Sequence, residues 1–295
     1  MPSVHQASIS ALNVARCRAI AAHETRDDIR GHDTLAEVFL DEPARQSLKN
    51  PAIHPVILKK LTEVSPGGYE YFIARTAYLD DIVEQALIDH MPQLVFLGAG
   101  YDTRACRFRH LLDVTTVFEL DEPTTQTHKR GLLDQANIQS PAQLVYVPID
   151  FTHDDLLDRL TESGYAPDKQ TLFIWEGVTY YLPPRTVEEV LHFIRSNSPV
   201  GSQVCFDYML PASQLEGRFG AMQSRAAMQA MYTEEPLLFD LDEALITDFL
   251  AEHGFELIEH VSAEEMQERY LTLEDGTSAG QILDLFRLAL AQVIE

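Results

Sequence analysis

The chain has 295 residues, 45% of them hydrophobic and 23% charged, which is enough to enclose a substantial core and makes a folded globular chain, not a disordered one, the default reading. Its 46 acidic residues outnumber its 22 Lys and Arg, for a formal charge of −24. With the arginines scattered and no local basic patch, that field disfavours nucleic acid or an anionic membrane surface as a partner.

Residues 1–90 read as helical and polar. Leu12, Ala15, Ile20 and Ala21 give helical spacing from about Ser10 to Glu24, and a second helix is predicted over Thr34–Leu40. Asn50-Pro51-Ala52-Ile53-His54-Pro55 marks a break, a helix follows over Val56–Glu63, and Pro66-Gly67-Gly68 makes a turn. Phe72, Ala77, Leu79, Ile82, Val83, Ala86 and Leu87 then place a helix over Tyr71–His90. From Pro92 the pattern changes. Apolar runs of strand length at Leu94–Leu97, Val114–Leu120, Leu144–Ile149, Leu172–Trp175 and Val204–Tyr208 alternate with helical stretches over 103–112, 123–136, 153–163 and 184–197. This alternation predicts βαβ units on a parallel sheet. Pro211–Asp240 interrupts it, with Phe219, Met222, Met228 and Met231 at loose helical spacing. A helix over Asp242–His253 and a strand over Phe255–Val261 follow, while Leu285–Ile294 fits either a strand or a helix. The expected organisation is a single domain over 1–295. It has an N-terminal helical cap over 1–90, an α/β core over 91–210 and 241–295, and an inserted helical cap over 211–240.

The most informative segment is Leu94-Val95-Phe96-Leu97-Gly98-Ala99-Gly100-Tyr101-Asp102-Thr103-Arg104, read as a strand, a glycine turn and a helix start. Gly98 and Gly100 allow close approach of a ligand at the carboxyl end of the strand. The plain alternative is a simple strand-to-helix turn, since Gly-x-Gly alone is a weak signal. Asp121 ends the next strand, where such folds place an acidic residue on a ribose. Thr103 replaces the third glycine of the dinucleotide fingerprint, and Asp102 would oppose a pyrophosphate at the helix N-terminus. Asp102 also suits the cap of that helix. A nucleoside held without phosphate points to S-adenosylmethionine and argues against a nicotinamide oxidoreductase. The carboxylate of that ligand needs a cation, for which Arg75 is a candidate. On spacing alone, Arg75 is more simply a surface residue paired with Glu70 or Asp80.

Four motifs in order now carry a likeness: Arg75-Thr76 with Asp80-Asp81, Leu97–Arg104, Glu119-Leu120-Asp121-Glu122-Pro123, and Trp175-Glu176-Gly177-Val178-Thr179-Tyr180-Tyr181-Leu182. From about residue 10 onward the chain resembles the leucine carboxyl methyltransferase family, which includes bacterial polyketide and other small-molecule O-methyltransferases. The resemblance implies a class I methyltransferase fold. This is a Rossmann-like, seven-stranded, mostly parallel sheet with helices on both faces, and S-adenosylmethionine is the methyl donor. It further implies that Arg75 binds the donor's carboxylate, and that Gly98, Ala99 and Gly100 pack on its methionine and ribose portion, with Asp102 in the same loop. Asp121 would hold the ribose hydroxyls with Glu119 close by, Asp150 and Phe151 would lie at the adenine, and Glu176 would face the ammonium. Tyr180 and Tyr181 match an aromatic position of the family and are the candidate catalytic residues; Thr179 and Tyr180 depart from the apolar pair usual there. Plainer readings stand beside these: Asp150 as a helix cap, the two tyrosines as rim packing and Trp175 as core.

Methyl transfer from a positive sulfur is an in-line displacement, so the protein contributes placement and electrostatics. An acceptor carboxylate, with a pKa of about 4, is already ionised, whereas a phenol near about 10 gains from a base. No His–Asp pair announces a base, which tilts the expectation towards a carboxylate, with Arg218 or Arg225 of the cap pairing with it. The expected function is O-methylation of a carboxylate or hydroxyl on a small molecule. A protein C-terminal carboxyl methyltransferase and a non-catalytic donor-binding module are the alternatives. The acceptor pocket is expected between the N-terminal helices and 211–240. Residues 1–50 would close over the donor or serve a homo-oligomer contact. Cys17, Cys106 and Cys205 show no zinc-ligand spacing, so no metal is expected and a reducing, cytoplasmic compartment fits best. No apolar run reaches the roughly 18 residues of a membrane helix.

Overall fold

The computed structural model describes residues 8–151 and 153–295. Four helices lead in: α1 (Ile9–Ala22), α2 (Glu42–Leu48), α3 (His54–Val64) and α4 (Gly68–Ile88). The Ser8 hydroxyl accepts from the Ala11 N–H at the start of α1, satisfying one of the free donors of a helix N-terminus. The predicted second helix is a 3₁₀ turn over Thr34–Phe39.

The alternating region folds as β1 (Gln93–Leu97), α5 (Arg104–Arg107), β2 (Thr116–Asp121), α6 (Pro123–Gln135), β3 (Leu144–Pro148), α7 (Leu156–Glu162), β4 (Thr171–Trp175), α8 (Pro184–Ser196) and β5 (Gln203–Met209). Every residue of β1 and β4 is buried, as strands covered on both faces require. In α8 the core side is Val187, Leu191 and Ile194, an i, i+4, i+7 stripe opposite an exposed polar face. The remaining elements are α9 (Ala221–Met231), α10 (Ile246–Glu252), β6 (Phe255–Val261), α11 (Ala263–Tyr270) and β7 (Phe286–Val293). The described residues form one seven-stranded sheet in the order β3-β2-β1-β4-β5-β7-β6. Strands β1 to β5 run parallel, and β7 pairs antiparallel with both β5 and β6. Helices cover both faces of this α/β sheet.

Further details differ from the sequence-based expectation or decide what it left open, and α2 is one that it did not contain. The helix expected over 103–112 is limited to Arg104–Arg107. The ambiguous run at the end of the chain is a strand, since it lies between β5 and β6 and both sides need a ladder partner. Helix α11 was not expected, although Ser262 and Glu265 form a full capping box at its start.

The three cysteines are unpaired and buried. Among the described residues no helix is long and apolar enough to cross a membrane.

Candidate functional site

The carboxyl ends of β1, β2 and β4 open on a cavity of about 870 Å³, as the crevice rule for open α/β sheets anticipates. Ala11 and Val14 of α1, Phe72 and Arg75 of α4, and Ala227, Met228 and Met231 of α9 also line it. A second groove of about 780 Å³ shares Leu97, Gly98 and Val178 with it.

The loop after β1 turns through Gly98 at φ +71° and Gly100 at φ +50°. A Cβ on Gly98 would lie 2.7 Å from Val178 Cγ2, and one on Gly100 would lie 3.2 Å from the Ala11 methyl. Both glycines therefore admit neighbours from the protein itself, in a backbone conformation that favours glycine. The Ala99 N–H donates to the Leu120 carbonyl at 2.8 Å, tying the loop to β2. Asp121 accepts from the Gly100 N–H at 2.5 Å and from the Glu122 N–H at 2.8 Å. Burial pushes its carboxyl above the usual range. Two backbone donors leave further lone pairs of this carboxylate for a ligand.

Arg75 is not a surface residue paired with Glu70 or Asp80. Tyr71, Arg75 and Tyr78 recur at i, i+4 and i+7 on the buried face of α4, and each polar end finds a carboxylate. The Arg75 guanidinium donates to Asp207 at 2.7 Å and lies 3.1 Å from Glu176. Tyr71 donates to Asp207 at 3.0 Å, and Tyr78 to Glu259 at 2.9 Å. Arg104 continues the string, donating to Glu176 and to Asp80, both at 2.7 Å, and pairing with Asp102. Burial alone would raise the Glu176 and Asp102 carboxyls, but the arginines beside them hold both below the usual carboxylate range. Asp102 also accepts from the Arg104 N–H at 2.6 Å, but the N-cap position of α5 is Thr103, so Asp102 precedes the cap rather than occupying it. Within this string Arg75 Nε and one Nη of Arg104 are buried with no hydrogen-bond partner, while Glu176 Oε1 is ion-paired to Arg75 at 3.1 Å. Unpaired buried donors cost about 1–3 kcal/mol each, so a carboxylate would be stabilised here.

Tyr180 and Tyr181 lie on the cavity wall with ring centroids 4.7 Å apart. Burial pushes both phenols up, so each keeps its proton near neutral pH and serves as a hydrogen-bond donor rather than a base. Phe151 lines the second groove and is 41% exposed.

Other expected residues are not brought to the cavity. Glu119 lies two residues deeper along β2 and is held by Lys129 of α6 at 2.5 Å. Burial pushes its carboxyl up to about 7 against the opposing pull of Lys129. Between the ordinary carboxylate value and about 7 the folded chain binds a proton that the unfolded chain has released. Wild-type stability should therefore fall, relative to Glu119→Gln, as the pH rises through that window. The expected change is about 2–4 kcal/mol between pH values of about 4.5 and 8. Equal urea-unfolding differences at the two ends would refute it. Asp150 lines neither cavity; its carboxylate meets His153 Nδ1 at 2.9 Å, and the helix cap after β3 is Asp155. Arg218 and Arg225 are likewise off the cavity wall. Arg218 is bound to Glu243 at 2.6 Å and to Asp284, and Arg225 to Asp240 and the Leu210 carbonyl, so their charges are spent within the insertion and on the segments that flank it.

Sequence reasoning missed Asp207 and Arg104. Asp207 had a signal: a carboxylate inside Val204-Cys205-Phe206-Asp207-Tyr208-Met209, a strand buried on both faces, must have a buried partner. It also missed Glu235, which reaches the cavity from the loop after α9.

The leucine carboxyl methyltransferase family model matches residues 11–195. A Bacillus subtilis (strain 168) protein named for S-adenosyl-L-methionine-dependent methyl transfer, YktD, is 31% identical over 212 residues, covering 70% of this chain and 68% of that one. A Mycobacterium marinum relative of the same description is 29% identical, covering 86% and 85%. Among solved structures, a DUF574 family protein of Streptomyces avermitilis superposes with a TM-score of 0.62 at 15% identity, covering 95% of this chain and 97% of the other.

Proposed function

The chain belongs to the leucine carboxyl methyltransferase family and uses S-adenosylmethionine as its methyl donor, and from that premise we propose that it is an O-methyltransferase acting on a carboxylate or hydroxyl of a small molecule. The observation that supports a small acceptor is the apolar wall of Phe72, Tyr181, Met228, Met231 and Phe286, in the same cavity as the donor-type residues at the strand ends.

The donor supplies a methyl group on a positive sulfur, which leaves with the carbon–sulfur electron pair. In this reading Arg75 Nε would take the donor's carboxylate, filling a valence that the fold leaves open, and Glu176, already paired with Arg75, would face its ammonium. Asp121 accepts from the ribose hydroxyls, and the Gly98–Gly100 loop packs alongside. Phe151 flanks the groove that shares the Gly98 wall. Holding both reactants in line is the protein's main contribution.

Calorimetric titration with S-adenosylmethionine and S-adenosylhomocysteine tests the donor site, followed by a screen of carboxylic acids and phenols with labelled donor. Micromolar binding with label transfer to a small acceptor is the expected result. Binding without transfer to any acceptor would leave a donor-binding module, and absence of binding by folded protein would overturn the proposal.

A further inference from the structure

We propose that the acceptor group is a phenolic hydroxyl on an apolar body and that Glu235 accepts its hydrogen bond and takes its proton; this rests on the O-methyltransferase reading above. Glu235 lies on the cavity wall beyond α9. Its Oε1 accepts from the Ser8 hydroxyl at 3.1 Å, which fixes the carboxylate against the start of α1. Its Oε2 is screened from solvent and has no hydrogen-bond partner among the described residues. Such an oxygen is an acceptor in want of a donor.

The charges on the wall point the same way. Arg18 is committed to Asp33 at 2.9 Å and to the Tyr101 carbonyl at 2.6 Å, and Arg75 to Asp207 and Glu176, with its remaining Nε given to the donor's carboxylate in the reading above. Glu234 adds a second carboxylate to the lining. An acceptor carboxylate would meet these acids with no uncommitted guanidinium, whereas a hydroxyl supplies the missing donor. In the step itself the acceptor oxygen bonds to the methyl carbon, the carbon–sulfur pair stays on sulfur, and the hydroxyl proton passes to Glu235 Oε2. The carboxyl later returns it to solvent.

The test uses full-length protein with labelled donor and the matched probes 2-naphthol and 2-naphthoic acid. Wild type is expected to methylate the naphthol at least about tenfold faster. Glu235→Gln should lower that rate by about 10²–10⁴-fold, the usual range for a general base. Its affinity for S-adenosylhomocysteine should stay within about twofold, which also shows that the variant is folded. Preference for the naphthoic acid, or an unchanged rate in the variant, would overturn the proposal. So would a tenfold weaker grip on S-adenosylhomocysteine, which would make Glu235 a donor ligand. If neither probe is turned over, calorimetry of 2-naphthol on the S-adenosylhomocysteine complex decides. Binding weakened tenfold or more in Glu235→Gln supports the assignment, and equal or absent binding refutes it. Failure of wild type to bind S-adenosylhomocysteine at all would instead remove the parent reading.

Discussion

Asp207→Ala is expected to destabilise the fold by about 3–5 kcal/mol, the cost of removing one partner from a buried ion pair. The side chains of Asp207 and Arg75 are 0% and 1% exposed, so water cannot take over from the lost carboxylate. Three donors lose their acceptor together: the Arg75 guanidinium, the Tyr71 hydroxyl and the Gly177 N–H. Equilibrium urea unfolding measures the loss, and a change below about 1 kcal/mol would mean that Glu176 alone can hold Arg75. Replacing both members of the pair, as Arg75→Met with Asp207→Leu, should recover part of the stability, because the penalty comes from the orphaned charge.

Asp121→Ala is expected to weaken S-adenosylmethionine binding by about 10²–10⁴-fold. Two hydrogen bonds from ribose hydroxyls to an ionised carboxylate are worth about 1.5–3 kcal/mol each. The same carboxylate pins the Gly100 N–H, so its removal also loosens the loop against which the donor would lie. Calorimetry gives the dissociation constants directly. An affinity within threefold of wild type would place the ribose elsewhere.

The sheet was legible because its evidence is local: runs such as Leu94–Leu97 and Leu172–Trp175 are apolar on both faces and separated by helical stretches. The backbone part of the site was legible for the same reason, since the glycine turn and Asp121 follow directly from strand ends. The ionic string was not. Arg75, Arg104, Glu176 and Asp207 come from α4, α5 and the ends of β4 and β5, and their pairing is a product of the topology. Spacing along the chain offers Arg75 only Glu70 or Asp80, whereas the fold brings α4 to β5 and supplies Asp207. Glu119 shows the converse. It shares a motif with Asp121, yet two residues along a strand carry it out of the cavity and into the reach of Lys129. Glu235 had no sequence signal, because its meaning depends on Ser8, 227 positions away.

The burial of every cysteine has a practical consequence. Reaction with alkylating or oxidising reagents needs the thiolate, and burial pushes Cys17 up to about 12 and raises Cys106 and Cys205 as well. The native surface thus offers no thiol through which two copies could crosslink in air. Any thiol labelling of this protein is a clock for opening. Cys17 sits on the helix that borders the cavity, so its labelling reports α1 lifting away, while Cys205, in the centre of the sheet, reports loss of the whole fold.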